Sequence, residues 1–302
     1  MISPSILVLI LGINSLSANI STRSYSFQNH RGTKITGVSW LPKTEPLALV
    51  YISHGYGEHM GYYHPLGEAL ANAGLAAFGH DHEGHGISGG ERVNIENFQH
   101  FVDDLFQDCQ SKKQDHQNKN LPMFVFGHSM GGLITLMSVL QQPSYFKGMV
   151  LSGPLIQSEN THGSLNFINR KIAQIANMFM PSFAAGSPFK LEESTRDSEM
   201  RKKMKNDPLR WAGRFKAQSS VATFQAVDKI NEELDQVTTP FLVMHGSEDT
   251  IVSPSGSRDL YSRAKVQDKQ ILILPGRKHH LILDFGGQQV VQTALHWILQ
   301  RI

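Results

Sequence analysis

At 302 residues the chain can bury a large core, and its length fits one enlarged α/β domain better than two independent domains. It carries 28 basic and 26 acidic residues, and no basic stripe with interleaved aromatic residues stands out, so nothing indicates nucleic-acid binding. The single cysteine, Cys109, excludes an internal disulfide and a thiolate metal cluster, and its place on the apolar face of a predicted helix indicates a core residue.

Residues 1–18 form a leader that we expect to be separate from a single domain over residues 19–302. The apolar block Ile6–Ile13 is too short to span a bilayer, and small residues follow it from Ser15 to Ala18. This pattern resembles a secretory signal, although no Lys or Arg precedes the apolar block. The alternatives are an uncleaved membrane-associating leader, which would lie at the membrane interface, and a disordered leader. We therefore expect a membrane-associated protein. It would be secreted if the leader is a signal peptide, and the alternative location is the cytosolic face of a membrane.

The chain after the leader begins with two extended runs between Tyr25 and Trp40, which predict a hairpin. The apolar run Leu47–Ser53 predicts a strand buried on both faces of a parallel sheet. The loop His54–His59 follows at once, and its glycines let a backbone N–H face a bound carbonyl. In the nucleophile-elbow architecture this loop supplies one oxyanion donor, which would be the backbone N–H of Tyr56.

A helix over about 62–73 and a strand over about 75–79 lead into the histidine-rich loop His80–Gly86. The spacing His-x-His-x-x-His is compatible with a dinuclear metallohydrolase. However, the aspartate expected before the third histidine of that class is Gly84, and no later set of ligands is evident. We therefore expect a polar loop that braces the neighbouring Tyr56 loop, and neither a metal nor another cofactor.

A long amphipathic helix from about Asn97 precedes the pentapeptide Gly127–Gly131, which reads Gly-His-Ser-Met-Gly. An apolar strand pattern comes before this pentapeptide and a helical pattern after it. Ser129 is therefore predicted to lie in a strand-to-helix turn as the nucleophile of an elbow, where the N–H of Met130 would be the other oxyanion donor.

A strand over 147–152 continues the alternation of strands and helices, which predicts an α/β fold with a mostly parallel sheet covered by helices on both faces. Ligands of such a sheet bind beyond the carboxyl ends of its strands. The interval from about 154 to 235 lacks clear strands and carries helical runs. A first cap helix is predicted by the spacing of Leu165, Ile168, Ile172, Ile175 and Phe179, and another is predicted from about Trp211 to Val227. We expect it to form a helical cap over the site, with Met and Phe side chains that line an acyl channel or contact a lipid surface.

The alternation resumes with a strand over 241–245, a helix over 254–264, a strand over 270–274 and a closing helix over 287–302. Asp249 follows the first of these strands and His279 the second, so the order Ser129, Asp249, His279 is the one that the α/β-hydrolase architecture requires. Spacing alone does not separate Asp249 from Glu248, or His279 from His280. These parts predict acyl transfer to water through a Ser-His-Asp triad.

The motifs of this chain resemble those of the monoacylglycerol lipase family of α/β-hydrolases from about Tyr25 onward. The matching segments are His54-Gly55-x-Gly57-Glu58-His59, His80-Asp81-His82-x-Gly84-His85-Gly86, Gly127-His128-Ser129-Met130-Gly131-Gly132, Asn206-Asp207-Pro208-Leu209 and Gly246-Ser247-x-Asp249. The resemblance implies a serine hydrolase that cleaves monoacylglycerols into fatty acid and glycerol beneath a mobile apolar lid that contacts membranes. It also implies His279 as the base, through the segment Gly276–His279.

The chain departs from the family pattern at several positions. Tyr56 replaces a residue that is often small, Tyr62 and Ile282 stand where vertebrate members carry a basic residue and a second histidine, and the lid cysteines are absent. These departures leave a lysophospholipase or a broad carboxylesterase as the alternative. A hypothesis of another class is a non-catalytic lipid-binding protein on a hydrolase scaffold.

Overall fold

The computed structural model describes residues 20–115, 120–156 and 190–302, together with residues 177–178, 180, 182 and 184–185. The predicted leader lies outside the described residues. So do the apolar positions that predicted a first helix of the cap, namely Leu165, Ile168, Ile172, Ile175 and Phe179.

The described residues form a mostly parallel sheet with the strand order β1-β2-β4-β3-β5-β6-β9-β10. The strands of this sheet are β1 Ser21–Gln28, β2 Lys34–Leu41, β3 Leu49–Ser53, β4 Ala76–His80, β5 Met123–His128, β6 Gly148–Ser152, β9 Phe241–Gly246 and β10 Lys269–Leu274. β1 and β2 form the predicted hairpin, in which Gln28 pairs with Lys34, and β2 runs antiparallel to β4. From β4 to β10 the neighbouring strands are parallel.

Helices cover both faces of the sheet because the side chains of its central strands alternate between two apolar clusters. Leu49 and Tyr51 of β3 belong to one cluster, whereas Val50 and Ile52 belong to the other. The helices are α1 His64–Asn72, α2 Phe98–Asp115, α3 Met130–Gln141, α4 Leu191–Ser194, α5 Ser198–Lys205, α6 Ala217–Glu233, α7 Pro254–Arg263 and α8 Gly287–Leu299. The first cluster includes residues of α2, α3, α6 and α7, and the second those of α1 and α8. The predicted α/β-hydrolase architecture is confirmed.

Local sequence signals account for where two of the helices begin. Ser253 caps α7 by accepting the Ser255 N–H at 3.2 Å, and Pro254 follows in the first turn, where its missing N–H costs nothing. Asp197 caps α5 in the same way through the N–H groups of two residues of its first turn. Cys109 lies in the core on α2, as the sequence predicts.

The cap interval differs from the sequence prediction in two respects. Two short strands, β7 Ala184–Ala185 and β8 Phe215–Lys216, pair in antiparallel fashion within an interval expected to lack strands. The helix expected from Trp211 begins only at Ala217. The physical reason is a contact outside the helix, because the backbone N–H of Trp211 donates to the carbonyl of Gly57 at 2.8 Å. In the part of the chain that the structure describes, no helix is both long and apolar enough to cross a bilayer.

Candidate active site

Ser129 lies at a strained turn between β5 and α3. Its backbone has φ 53° and ψ −118°, a left-handed conformation that is costly for a residue other than glycine. Hydrogen bonds fix the turn, because the Ser129 N–H donates to the Ser152 carbonyl at 3.1 Å and the Gly132 N–H donates to the Ser129 carbonyl at 2.9 Å. The turn thus lifts the Ser129 hydroxyl above the carboxyl edge of the sheet.

The glycines beside Ser129 are required by close contacts. A Cβ on Gly127 would lie 2.5 Å from Thr135 Oγ1, and a Cβ on Gly131 would lie 2.1 Å from the Ser53 carbonyl oxygen. Any side chain at either position would therefore push the first turn of α3 away from the ends of β3 and β5. The small residues of the motif let strand, turn and helix pack against one another.

The structure brings Ser129, His279 and Asp249 together, although they are far apart in sequence. His279 Nε2 lies 2.8 Å from Ser129 Oγ, and His279 Nδ1 lies 2.7 Å from Asp249 Oδ2. An ionised carboxylate can only accept hydrogen bonds, so Nδ1 of His279 carries the proton and Nε2 is left to accept the serine hydroxyl. This arrangement can accept a proton from the serine when its oxygen attacks a carbonyl.

The Asp249 carboxylate is buried and held by further donors. Its Oδ1 accepts the N–H groups of Ile251 and Val252, each at 2.9 Å, and its Oδ2 also lies 3.0 Å from His245 Nε2. Burial alone would raise the pKa of Asp249, but His279 and His245 outweigh that effect and hold it well below its usual range. Asp249 is therefore ionised at neutral pH. In turn, burial lowers the pKa of His279 less than Asp249 raises it, so the net shift is upward.

The competing residues that spacing left open lie elsewhere. Glu248 is exposed, and His280 is fully buried with its Nε2 3.2 Å from Glu58 Oε1. Of the two histidines, it is His279 that lies within hydrogen-bonding distance of the Ser129 hydroxyl.

The predicted oxyanion residues lie at the first turn of α3 and in the loop after β3. Met130 begins α3, and the first N–H groups of a helix have no partner within the helix. The loop of Tyr56 is held by the cap, because Tyr56 stacks on Phe215 with ring centroids 4.1 Å apart and Trp211 donates to Gly57. This contact of Tyr56 with the cap was missed by sequence reasoning.

The histidines of the segment His80–Gly86 are bound to separate partners. His80 Nδ1 lies 2.8 Å from Asp108 Oδ2, His82 Nε2 lies 3.1 Å from Ser53 Oγ, and His85 Nδ1 lies 3.0 Å from the carbonyl of Glu83. The His82 N–H also donates to His54 Nε2 at 3.0 Å, which joins this segment to the Tyr56 loop. These contacts favour a bracing role over a shared metal ion.

Sequence reasoning also missed a buried group made of Glu58, His128 and His280. His128 belongs to the elbow motif and Glu58 to the Tyr56 loop, so both were within recognised segments, but their contact with His280 spans more than 150 residues. No local pattern indicates such a contact.

These features define the class of the protein, an α/β-hydrolase with a candidate nucleophilic serine at a strand-to-helix elbow. Residues 44–285 match the family Hydrolase_4, described as serine aminopeptidase, S33. Monoglyceride lipase of Homo sapiens is 34% identical over 266 residues, which cover 87% of this chain and 86% of that protein. Monoacylglycerol lipase of Mycolicibacterium smegmatis is 31% identical over 283 residues, covering 93% of this chain and 99% of that protein.

A solved structure of a soluble variant of monoglyceride lipase from Saccharomyces cerevisiae, in complex with a substrate analog, has the same fold. Its TM-score is 0.81 at 23% identity, and the match covers 96% of this chain and 97% of that chain. The chain belongs to the monoacylglycerol lipase family within the Hydrolase_4 α/β-hydrolases. The family predicted from the motifs is confirmed.

Proposed function

We propose that this chain is a monoacylglycerol lipase, a carboxylic ester hydrolase that releases a fatty acid and glycerol. The observation that carries the proposal is the continuous hydrogen-bond chain from Ser129 Oγ through His279 to the buried Asp249 carboxylate. The relatives that are more than 30% identical over most of the chain are named monoglyceride or monoacylglycerol lipases, which supports the substrate class.

In the proposed reaction Ser129 Oγ attacks the ester carbonyl while its proton passes to His279 Nε2. Asp249 holds the tautomer of His279 and stabilises the imidazolium that forms. The tetrahedral intermediate collapses when His279 protonates the leaving glycerol oxygen, and Ser129 is left acylated. Water then attacks the acyl group, its proton goes to His279, and collapse of the second intermediate returns that proton to Ser129 and releases the fatty acid.

The proposed oxyanion donors are the backbone N–H groups of Met130 and Tyr56. The position of Met130 at the start of α3 supports its role, because the N–H groups of a first helical turn face an approaching anion. The anchoring of the Tyr56 loop by Trp211 and Phe215 supports the second donor, since a donor must be held in place before charge develops. Loss of one such donor typically costs about 3 kcal/mol of transition-state stabilisation.

The lipid substrate and the exposed apolar residues of the cap support association with a membrane surface. Met178 is 77% exposed and Met180 is 55% exposed, and both lie in the interval proposed as the cap, about 154–235. Large exposed apolar side chains are typical of surfaces that contact lipids. We propose a single domain over 19–302 whose cap touches the membrane, preceded by a leader over 1–18 that either directs secretion or adds to membrane attachment.

A substrate panel tests the proposed function. It compares a long-chain monoacylglycerol, a lysophospholipid, a short soluble ester and, because of the peptidase description of the family, an amino-acid nitroanilide. We expect the highest kcat/KM with the monoacylglycerol and no turnover by Ser129→Ala. A preference for the short ester, the lysophospholipid or the nitroanilide would refute the lipase assignment. Absent turnover and absent labelling by a fluorophosphonate would favour a binding protein.

A further inference from the structure

A second group of ionisable side chains lies beside the proposed triad. Glu58, His128 and His280 are 8%, 1% and 0% exposed, and the chemistry proposed above uses none of them. The ring centroid of His128 lies 4.2 Å from that of His280 and 4.9 Å from that of His279. The group therefore contacts the proposed base, His279, through the ring of His128.

The Glu58 carboxylate is the centre of this group. Its Oε2 accepts the Gly55 N–H at 3.2 Å and the Tyr63 hydroxyl at 2.8 Å. Its Oε1 lies 3.2 Å from His280 Nε2 and 3.7 Å from His128 Nε2. Burial alone would raise the pKa of Glu58, but His280 and the hydrogen bond from Tyr63 outweigh burial, and the pKa lies well below its usual range. A buried, ionised carboxylate thus holds the backbone of the loop that contains Tyr56.

The contacts of His128 and His280 indicate which of their ring nitrogens carries a hydrogen. His128 Nδ1 lies 2.8 Å from the Ser152 carbonyl oxygen, so this nitrogen carries the hydrogen. Burial lowers the pKa of His128 well below its usual range, so its Nε2 is a lone pair that faces the Glu58 carboxylate. Two acceptors in contact repel unless a donor lies between or beside them. His280 Nε2 lies nearer, 3.2 Å from Glu58 Oε1, and a hydrogen on this nitrogen would oppose the repulsion.

We propose that Glu58 and His280 form a positioning pair for hydrolysis, which holds the oxyanion loop through Gly55 and stabilises the imidazolium that forms on His279. This inference rests on the proposed function. Two observations support its two parts. A Cβ on Gly55 would meet Glu58 Oε2 at 3.1 Å and His128 Cδ2 at 3.2 Å, so the loop packs directly on Glu58 and on the neighbouring His128. His128 connects Glu58 to His279, because its Nε2 lies 3.7 Å from Glu58 Oε1 and its ring centroid lies 4.9 Å from that of His279. In accordance with this geometry, Glu58 is, after Asp249, the other carboxylate that raises the pKa of His279 against the effect of burial.

Other ionisable groups also face this pair. Tyr62 and Tyr63 approach His280 from the segment before α1, with ring centroids 6.5 and 6.0 Å away. The further ionisable groups that interact with Glu58 or His279 are His54, His85 and Asp249. Asp249 is the one carboxylate in this set, and it contacts His279 Nδ1 at 2.7 Å. Replacing Glu58 therefore removes the negative charge on the His128 side of His279 and leaves that of Asp249 in place.

The test compares Glu58→Gln, His280→Gln and His280→Leu with the exposed control Glu68→Gln on α1. The Glu58→Gln amide still accepts from Gly55 and Tyr63 but carries no charge. We expect kcat to fall about threefold to tenfold and KM to stay within about twofold. We also expect the acidic limb of kcat/KM to move down by roughly half a pH unit or more, because a unit charge nearby is lost. Glu68→Gln should match the wild type in kcat, in KM and in the acidic limb of kcat/KM.

The His280 variants separate positioning from simple packing. His280→Gln keeps an N–H near the position of Nε2 and should stay within about threefold of wild-type kcat. His280→Leu removes the nitrogen that lies 3.2 Å from Glu58 Oε1 and should lose about tenfold or more. A folded Glu58→Gln protein with an unmoved acidic limb would overturn the inference, as would a rise in KM that accounts for the whole loss.

The ligand atoms of Glu58, His128 and His280 also lie within 4.8 Å of one another, a spacing compatible with a metal ion. The proposed pair needs no metal ion, so a chelator should leave wild-type activity unchanged, and a Glu58-dependent effect of the chelator would contradict the proposed pair. Absence of turnover in the wild type itself would remove the proposed function. An active wild type with unaltered variants would remove only this inference.

Discussion

The role proposed for Asp249 can be tested by Asp249→Asn, whose outcome follows from the four donors around the carboxylate. Two of them are the backbone N–H groups of Ile251 and Val252, which must be accepted by the amide oxygen of the asparagine. The amide NH2 group then faces His279 Nδ1. Because that group can only donate, His279 must carry its hydrogen on Nε2, and it can no longer accept the proton of Ser129.

We expect this change to lower kcat by about 10³- to 10⁴-fold, which corresponds to roughly 4–5.5 kcal/mol of barrier, with KM nearly unchanged. The assay is release of glycerol from a monoacylglycerol, together with the rate of fluorophosphonate labelling and a thermal melt to verify folding. The matched control is Glu248→Gln, which removes the adjacent, exposed carboxylate and should retain wild-type kcat. A folded Asp249→Asn enzyme within tenfold of the wild type would refute the tautomer argument.

Three further predictions concern pH and packing. Since Asp249 raises the pKa of His279 and neutral His279 is the base, kcat/KM should fall as pH drops through a value above 6.5, and a midpoint below 6.5 in the pH profile would contradict this. Burial lowers the pKa of His85 to about 4, so its contribution to stability is present above about pH 6.5 and should weaken by roughly 3 kcal/mol down to about pH 4. Urea unfolding at pH 7.5 and 5 measures about 2 kcal/mol of this loss, because the remainder appears between pH 5 and 4. Equal stabilities would count against it, even though His279, whose pKa is raised, shifts stability in the opposite direction. Gly131→Ala should abolish turnover or folding because its Cβ would lie 2.1 Å from the Ser53 carbonyl oxygen, and an active, equally stable variant in a thermal melt would disprove that packing argument.

The architecture of this protein was predictable because its strands carry strong local signals. Runs such as Met123–Phe126 are apolar at every position, which fits strands covered by helices on both faces, and Ser129 and Asp249 follow runs of this kind. His279 follows the edge strand β10, which is partly exposed but still carries an apolar run from Ile271 to Leu274. The order of strands and loops therefore places the three residues at one edge of the sheet without any knowledge of long-range contacts.

Contacts between distant loops were not predictable in the same way. The pairing of Glu58 with His280 and the stacking of Tyr56 on Phe215 depend on how loops pack above the sheet. The late start of α6 also depends on a contact between loops. The local sequence predicts a helix from Trp211, but the backbone N–H of Trp211 donates to the carbonyl of Gly57 in another loop. Tertiary hydrogen bonds override weak helical propensity at such positions.

The central claim is that Ser129 forms the acyl-enzyme. The most direct measurement is mass spectrometry of peptides from the full-length protein after reaction with a fluorophosphonate. We predict one adduct, on the peptide that contains Ser129, and a rate of formation that falls when monoacylglycerol is present. An adduct on another residue, or none on a folded protein that still hydrolyses monoacylglycerol, would contradict the account.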